Sequence, residues 1–158
     1  MTLYYAGQRL AAADLNPIMA KYKNASVQSG IVTTTNTTVT VPTLVYNKGG
    51  GIVTAASSVL TLNKTGVWRF KGNVQFEANT AGWYVWIGHP TNVAAVDRYT
   101  LSTLTNRNGI SAVNVSGEKE MTSGDQIALR MWHNKGSNAA TLVSELETWL
   151  SVEYVHGT

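Results

Sequence analysis

The chain has 158 residues, of which only 13% are charged, and 12 Lys and Arg against 9 Asp and Glu give a formal net charge of +3. It contains no cysteine, which excludes a disulfide framework and a thiolate metal centre. The basic residues are scattered singly apart from Lys21 and Lys23, and no apolar run approaches the ~18 residues of a membrane span, so neither nucleic-acid binding nor membrane insertion is expected.

The N-terminal stretch MTLYYAGQRLAAADLN lacks a charged region followed by an apolar one, so a chain made in the cytoplasm is expected. Within residues 1–30, Leu15, Ile18, Met19 and Tyr22 fall at i, i+3, i+4 and i+7, the spacing of one helix face. Asp14 or Asn16 can cap such a helix, and Pro17 is tolerated in its first turn. A helix of about ten residues is marginal alone in water. It therefore needs a surface to dock on, either its own domain or another chain.

From residue 31 onward the period falls to two. TTTNTTVTV (33–41) ends in Thr/Val alternation, NKGGG (47–51) reads as a loop, and SVLTL (58–62) reads as a short strand. In VWRFKGNVQFEA (67–78), Trp68, Phe70, Gly72, Val74 and Phe76 share one face, while Arg69, Lys71, Asn73, Gln75 and Glu77 share the other. That is a strand buried on one side and wet on the other. NTAG (79–82) reads as a turn into WYVWIG (83–88). RYTLSTL, ISAVNVS, QIALRMWHN and TWLSVEYV follow as further strands, and SGDQ (123–126) reads as a β-turn in which Asp125 caps the backbone. Short strands divided by Gly, Asn and Asp turns describe an all-β sandwich or barrel.

Several aromatics do not fit one core. Ile127, Leu129 and Met131 read as inward, which leaves Trp132 outward; Leu150, Val152 and Tyr154 read as inward, which leaves Trp149 outward. WYVWIG is apolar on both faces, so either Trp83, Val85 and Ile87 or Tyr84 and Trp86 must face away from the core. Such rings are covered within the monomer, pack against identical neighbours, or form a platform on which a sugar ring stacks.

Catalysis finds little support. His89, His133 and His156 form no metal-binding spacing, and His133 and His156 stand at strand ends. Glu118 with Glu120, and Glu145 with Glu147, alternate as solvated edge charges rather than as a pair flanking a scissile bond. GNVQ and GGG lack the spacing of phosphate loops. No enzyme activity, metal or cofactor is expected.

Three segments carry a resemblance. GVWRF (66–70), after SVLTLNKTG, resembles the G-V-Y-x-F element of the tumour-necrosis-factor and complement globular-head superfamily. EMTSGDQIALRMWHNKG (120–136) is similar to that superfamily's L-x-x-G-D-x-V-x-L turn and strand, and TWLSVEYVH (148–156) to its final strand. The resemblance spans about residues 31–158 and implies a ten-strand jelly-roll β-sandwich assembled as a homotrimer. Arg69 departs from it, standing where an apolar residue is usual. A second resemblance lies in YYAGQRLAAADLN (4–16), which is similar to the opening of many small bacteriophage virion proteins and implies attachment to a particle.

The expectation is thus an all-β jelly-roll domain over 31–158 behind an anchoring segment, 1–30, with a short helix. Tyr84, Trp86, Trp132 and Trp149 would line the trimer interface, and Leu15, Ile18, Met19 and Tyr22 the anchoring helix. The expected role is a non-enzymatic virion protein, a capsid decoration or fibre-like accessory, held by another virion protein through residues 1–25. The alternative is a tail-associated module that binds a receptor or host glycan.

Overall fold

The computed structural model describes residues 17–76, 79–92, 94, 98–107, 111–141 and 148–157. Among them the strands are β1 Ile18–Lys23, β2 Thr37–Thr38, β3 Thr43–Lys48, β4 Val53–Ala56, β5 Val59–Leu62, β6 Gly66–Phe76, β7 Asn79–Gly88, β8 Arg98–Arg107, β9 Ser111–Met121, β10 Gln126–His133 and β11 Trp149–His156. Two antiparallel sheets form: the first in the order β3-β1-β11-β6-β9, the second in the order β4-β5-β10-β7-β8, with β2 also paired to β10. The sandwich class expected from the two-residue period is what the chain adopts.

The core lies between the sheets. From the first sheet come Trp68, Phe70, Val74, Phe76, Leu150 and Val152; from the second come Trp83, Val85, Ile87, Ile127, Leu129 and Met131, all buried. Each set alternates along its strand, so every second residue is delivered inward by the pleat. Phe76 and Trp83 stack with centroids 3.9 Å apart, and Trp83 also lies 4.7 Å from the His133 ring. His133 is wholly buried, accepts the Lys135 N–H at Nδ1 and meets the Ile31 carbonyl at Nε2 (3.0 Å), so its proton sits on Nε2. It is a core residue despite its place at a strand end.

From Ile18 onward the helix expected over 15–22 is replaced by a strand, and Leu15 lies outside the described residues. β1 is hydrogen-bonded on both sides, to β11 (Ile18↔Tyr154, Ala20↔Val152, Tyr22↔Leu150) and to β3. Ala20 and Tyr22 are buried and Ile18 packs against the core, whereas Met19 and Lys21 face outward. The segment satisfies periods of two and of 3.6 at once; two waiting strand edges, which only the tertiary fold supplies, decide between them. Residues 18–23 are therefore part of the sandwich rather than of a separate appendage. NTAG is likewise strand, since β7 begins at Asn79. β3 and β4 flank the glycine run, where the sequence pattern gave only a loop. They are edge strands with mixed exposure and no clean alternation.

The SGDQ turn forms as expected. Thr122 N–H donates to Asp125 Oδ2 (2.7 Å), Asp125 N–H donates to the Thr122 carbonyl (3.0 Å), and Gly124, at φ +98°, donates to the Leu62 carbonyl at the end of β5. On one side the sandwich is closed where β8 meets β9: a Cβ built on Gly117 would lie 2.7 Å from Thr100 Cγ2.

Candidate functional site

The outward face of the first sheet is built by register. On β11, Trp149, Ser151 and Glu153 alternate with buried Leu150 and Val152. On β1, Met19 stands opposite Glu153 and Lys21 opposite Ser151. On β6, Arg69 stands between Glu118 of β9 and Glu153 of β11. Its guanidinium bonds both carboxylates, at 2.6 Å and 3.0 Å. The bond to Glu118 first, then that to Glu153, holds Arg69 still more firmly in its charged form. The residue that departed from the resemblance is thus outward-facing and satisfied across two strand pairs. Lys21 Nζ lies 4.6 Å from the Trp149 ring centroid, and with Met19, Tyr46 and Lys71 these side chains line a shallow cavity of about 190 Å³. At the edge of the same sheet, β3 exposes Leu44 and Val45.

The outward face of the second sheet is different. β7 presents Tyr84 and Trp86, and β10 presents Arg130 and Trp132, in direct pairs Trp132↔Tyr84 and Arg130↔Trp86. The Tyr84 and Trp132 rings lie 5.1 Å apart at 58°, and Tyr84 is 41% exposed. Trp86 is only 1% exposed although it points away from the core. Two guanidiniums cover it, Arg98 Cζ 5.0 Å and Arg130 Cζ 5.7 Å from its ring centroid. Arg130 Nη1 donates to the carbonyls of His89 (3.2 Å) and Asn92 (3.0 Å), which fastens the loop after β7 to the sheet. Burial, and then the charge of Arg98, lower the Arg130 pKa from its ordinary value. The Trp86 indole N–H and Arg130 Nε are buried without an acceptor among the described residues. Asn36, Tyr84, Trp86, Arg98 and Trp132 line a half-open cavity of about 230 Å³.

The four aromatics assigned to one interface therefore occupy opposite faces: Trp149 on the first sheet, Tyr84, Trp86 and Trp132 on the second. Periodicity says which residues leave the core but not which sheet a strand joins. The expected anchoring residues also separate, with Ile18 and Tyr22 inward and Met19 outward beside Trp149. Arg98, Arg130 and Asn36 were not singled out from the sequence. The available signal was Arg130 at an outward position of an otherwise apolar strand. Among the described residues no group of three or more His, Cys, Asp or Glu is placed to hold a metal ion. No helix among them is long and apolar enough to cross a membrane. Glu145 and Glu147 lie outside the described residues.

The sequence matches no protein-family model and no curated protein. The fold, in contrast, is shared with solved structures. A crystal structure of murine APRIL at pH 8.5 superposes with a TM-score of 0.61 at 18% identity, covering 89% of this chain and 100% of that one. Murine APRIL at pH 8.0 gives 0.62 at 17% identity over 89% of this chain and 100% of that one. The structure of Eiger TNF from S. frugiperda gives 0.61 at 9% identity, covering 90% of this chain and 94% of that one. The two antiparallel sheets of this chain thus form a jelly roll of the tumour-necrosis-factor type.

Proposed function

We propose that the chain is a non-enzymatic homotrimeric module of a bacteriophage particle, assembled through the outward face of its first sheet. The observation that carries the assembly is the continuity of that face with an unprotected edge. Met19, Tyr46 and Trp149 run into β3, where Leu44 and Val45 are 51% and 46% exposed and no further strand pairs among the described residues. Apolar side chains on an open edge are a liability unless another chain covers them. The trimeric state is supported by the resemblance of GVWRF, the SGDQ strand and the final strand to a superfamily of trimers, and by the shared fold. The virion setting is supported by YYAGQRLAAADLN alone. It makes residues 1–16 the attachment segment to a capsid or tail protein, after synthesis in the host cytoplasm.

Light scattering after size exclusion tests the assembly. The expected mass is three times the 17.0 kDa of one chain. Trp149→Asp should reduce it to that of one chain while the circular dichroism stays native, and Trp132→Asp should leave it unchanged. A wild-type monomer at micromolar concentration, or a Trp149→Asp trimer, overturns the interface.

Attachment has its own test. A chain lacking residues 1–16 should fold and assemble as before yet no longer co-sediment with particles. A deletion through residue 25 would not isolate the effect, because it removes β1 from between β3 and β11. Undiminished co-sedimentation of the shorter deletion would contradict the anchoring role.

A second reading, a carbohydrate-binding module at the particle surface, is favoured by the aromatic cavity on the second sheet. That face lies away from the proposed interface and stays open in the assembly.

A further inference from the structure

The outward face of the first sheet has two sides of opposite charge. On one side, β1 and β3 carry Lys21, Lys23 and Lys48 and contain no acidic residue. On the other, the edge strand β9 turns Glu118 and Glu120 outward, opposite Arg69 and Val67 of β6. Lys119 between them takes the inner side of the pleat, its Nζ 4.0 Å from the Tyr99 ring centroid. The strands in the middle are mixed: Arg69 bonds Glu118 and Glu153, and Lys71 stands opposite Ser151 and Ser116.

The positive side is also the apolar one. The ammonium groups of Lys21 and Lys48 lie over the rings of Trp149 and Tyr46, at 4.6 Å and 5.8 Å from their centroids. They are thus held beside the patch that runs into Leu44 and Val45. Among the described residues neither lysine is in an ion pair, and neither is the exposed Glu120. Exposed pairs hold a complex weakly, but like charges brought together repel. Such charges therefore select the partner and its register, while apolar side chains supply the adhesion. Two positive sides do not pack together, and a polyanion would meet the lysines yet leave the acidic side without a role. A second copy of this chain supplies what both sides need. A contact in which one patch meets a different patch of the next copy repeats around an axis and closes into a ring.

We propose that copies of this chain associate head to tail, the β9 side of one on the β1 and β3 side of the next. Glu120 reaches Lys21 and Lys48 of the neighbouring copy, and Val67 beside it meets the apolar patch. This rests on the trimeric assembly proposed above and names the second surface that the assembly uses.

The test is sedimentation of the full-length protein over a range of dilutions, for the wild type, Lys21→Glu, Glu120→Lys and the chain carrying both changes. Each single change sets like charges against each other and should raise the concentration at which the assembly dissociates about tenfold. The double change restores both the pairing and the net charge, and should recover most of that loss. Added salt should weaken the wild type, because the contact is exposed at its rim. Circular dichroism of all four proteins should be the same, and rescue in the double variant separates a lost contact from a damaged fold. Single changes without effect, or a double variant as weak as the two losses combined, would overturn the head-to-tail contact and leave a wild-type trimer standing. A wild type with the mass of one or two chains would overturn the trimer as well.

Discussion

Trp83→Ala is expected to remove about 3–5 kcal/mol of folding stability, a large part of the ~5–15 kcal/mol that holds a typical domain together. Trp83 is buried between the two sheets, stacked on Phe76 of the facing sheet at 3.9 Å and set against the buried His133 ring at 4.7 Å. Removing the indole takes away the transfer free energy of a large ring and leaves a cavity that two strongly hydrogen-bonded strands cannot collapse to fill. It also strips one neighbour from an imidazole whose two nitrogens are fixed by Ile31 and Lys135. Urea denaturation checks this: the midpoint should fall sharply with the slope unchanged. Trp132→Ala, at a half-buried outward position, should move the midpoint only slightly. Equal shifts for the two variants would contradict the assignment of inner and outer rings on β7 and β10.

Gly66→Ala is expected to cost about 3 kcal/mol, although it adds only one methyl group. Gly66 opens β6 at φ +145°, a conformation that residues with a Cβ rarely adopt. A Cβ there would overlap the His156 carbonyl oxygen and lie 2.9 Å from Gly157 Cα and 3.0 Å from Tyr154 Cε2. The obstacle is mostly backbone, so no rotamer change relieves it. The corner is also tightly tied: Tyr154 OH donates to the Thr65 carbonyl, Trp68 Nε1 donates to the Lys64 carbonyl, and the Trp68 and Tyr154 rings meet edge to face at 5.2 Å. A shift of β11 away from an added methyl would loosen all three contacts. Thermal or chemical denaturation of the variant gives the cost directly. A change below about 0.5 kcal/mol, the size of an ordinary surface substitution, would mean that the β6–β11 corner relaxes freely.

Legibility from the sequence follows the physics of each segment. β6 was read residue by residue because Trp68, Phe70, Val74 and Phe76 alternate with charged or amide side chains, and burial follows that alternation. Asn73 is buried all the same. β10 and β11 were legible for the same reason. β1 was not, because a small Ala20 hides the two-residue period of Ile18 and Tyr22, while Met19 completes a helical spacing by coincidence. β3 was missed because an edge strand of mixed exposure need not alternate at all. The candidate sites were half legible. Outward aromatics could be named one by one, yet whether two of them are neighbours depends on pairings such as Trp132↔Tyr84 between distant strands. Arg98 enters the Trp86 site through a register irregularity opposite Gly88, which no local pattern announces.

The position of β11 has a further consequence, for the order in which the fold can form. It is the last strand described, yet it lies inside its sheet, with β1 on one flank and β6 on the other. β1 therefore has only an edge partner, β3, until the residues around 150 have left the ribosome, and contacts such as Asn24 with Thr141 close a loop of 117 residues. Such non-local pairing places the chain among the slow-folding topologies, because loop entropy is lost before the contacts return it. The second sheet can assemble earlier, from β4 to β10. The face proposed for assembly is thus completed last, which postpones association between chains until each has finished its own sandwich.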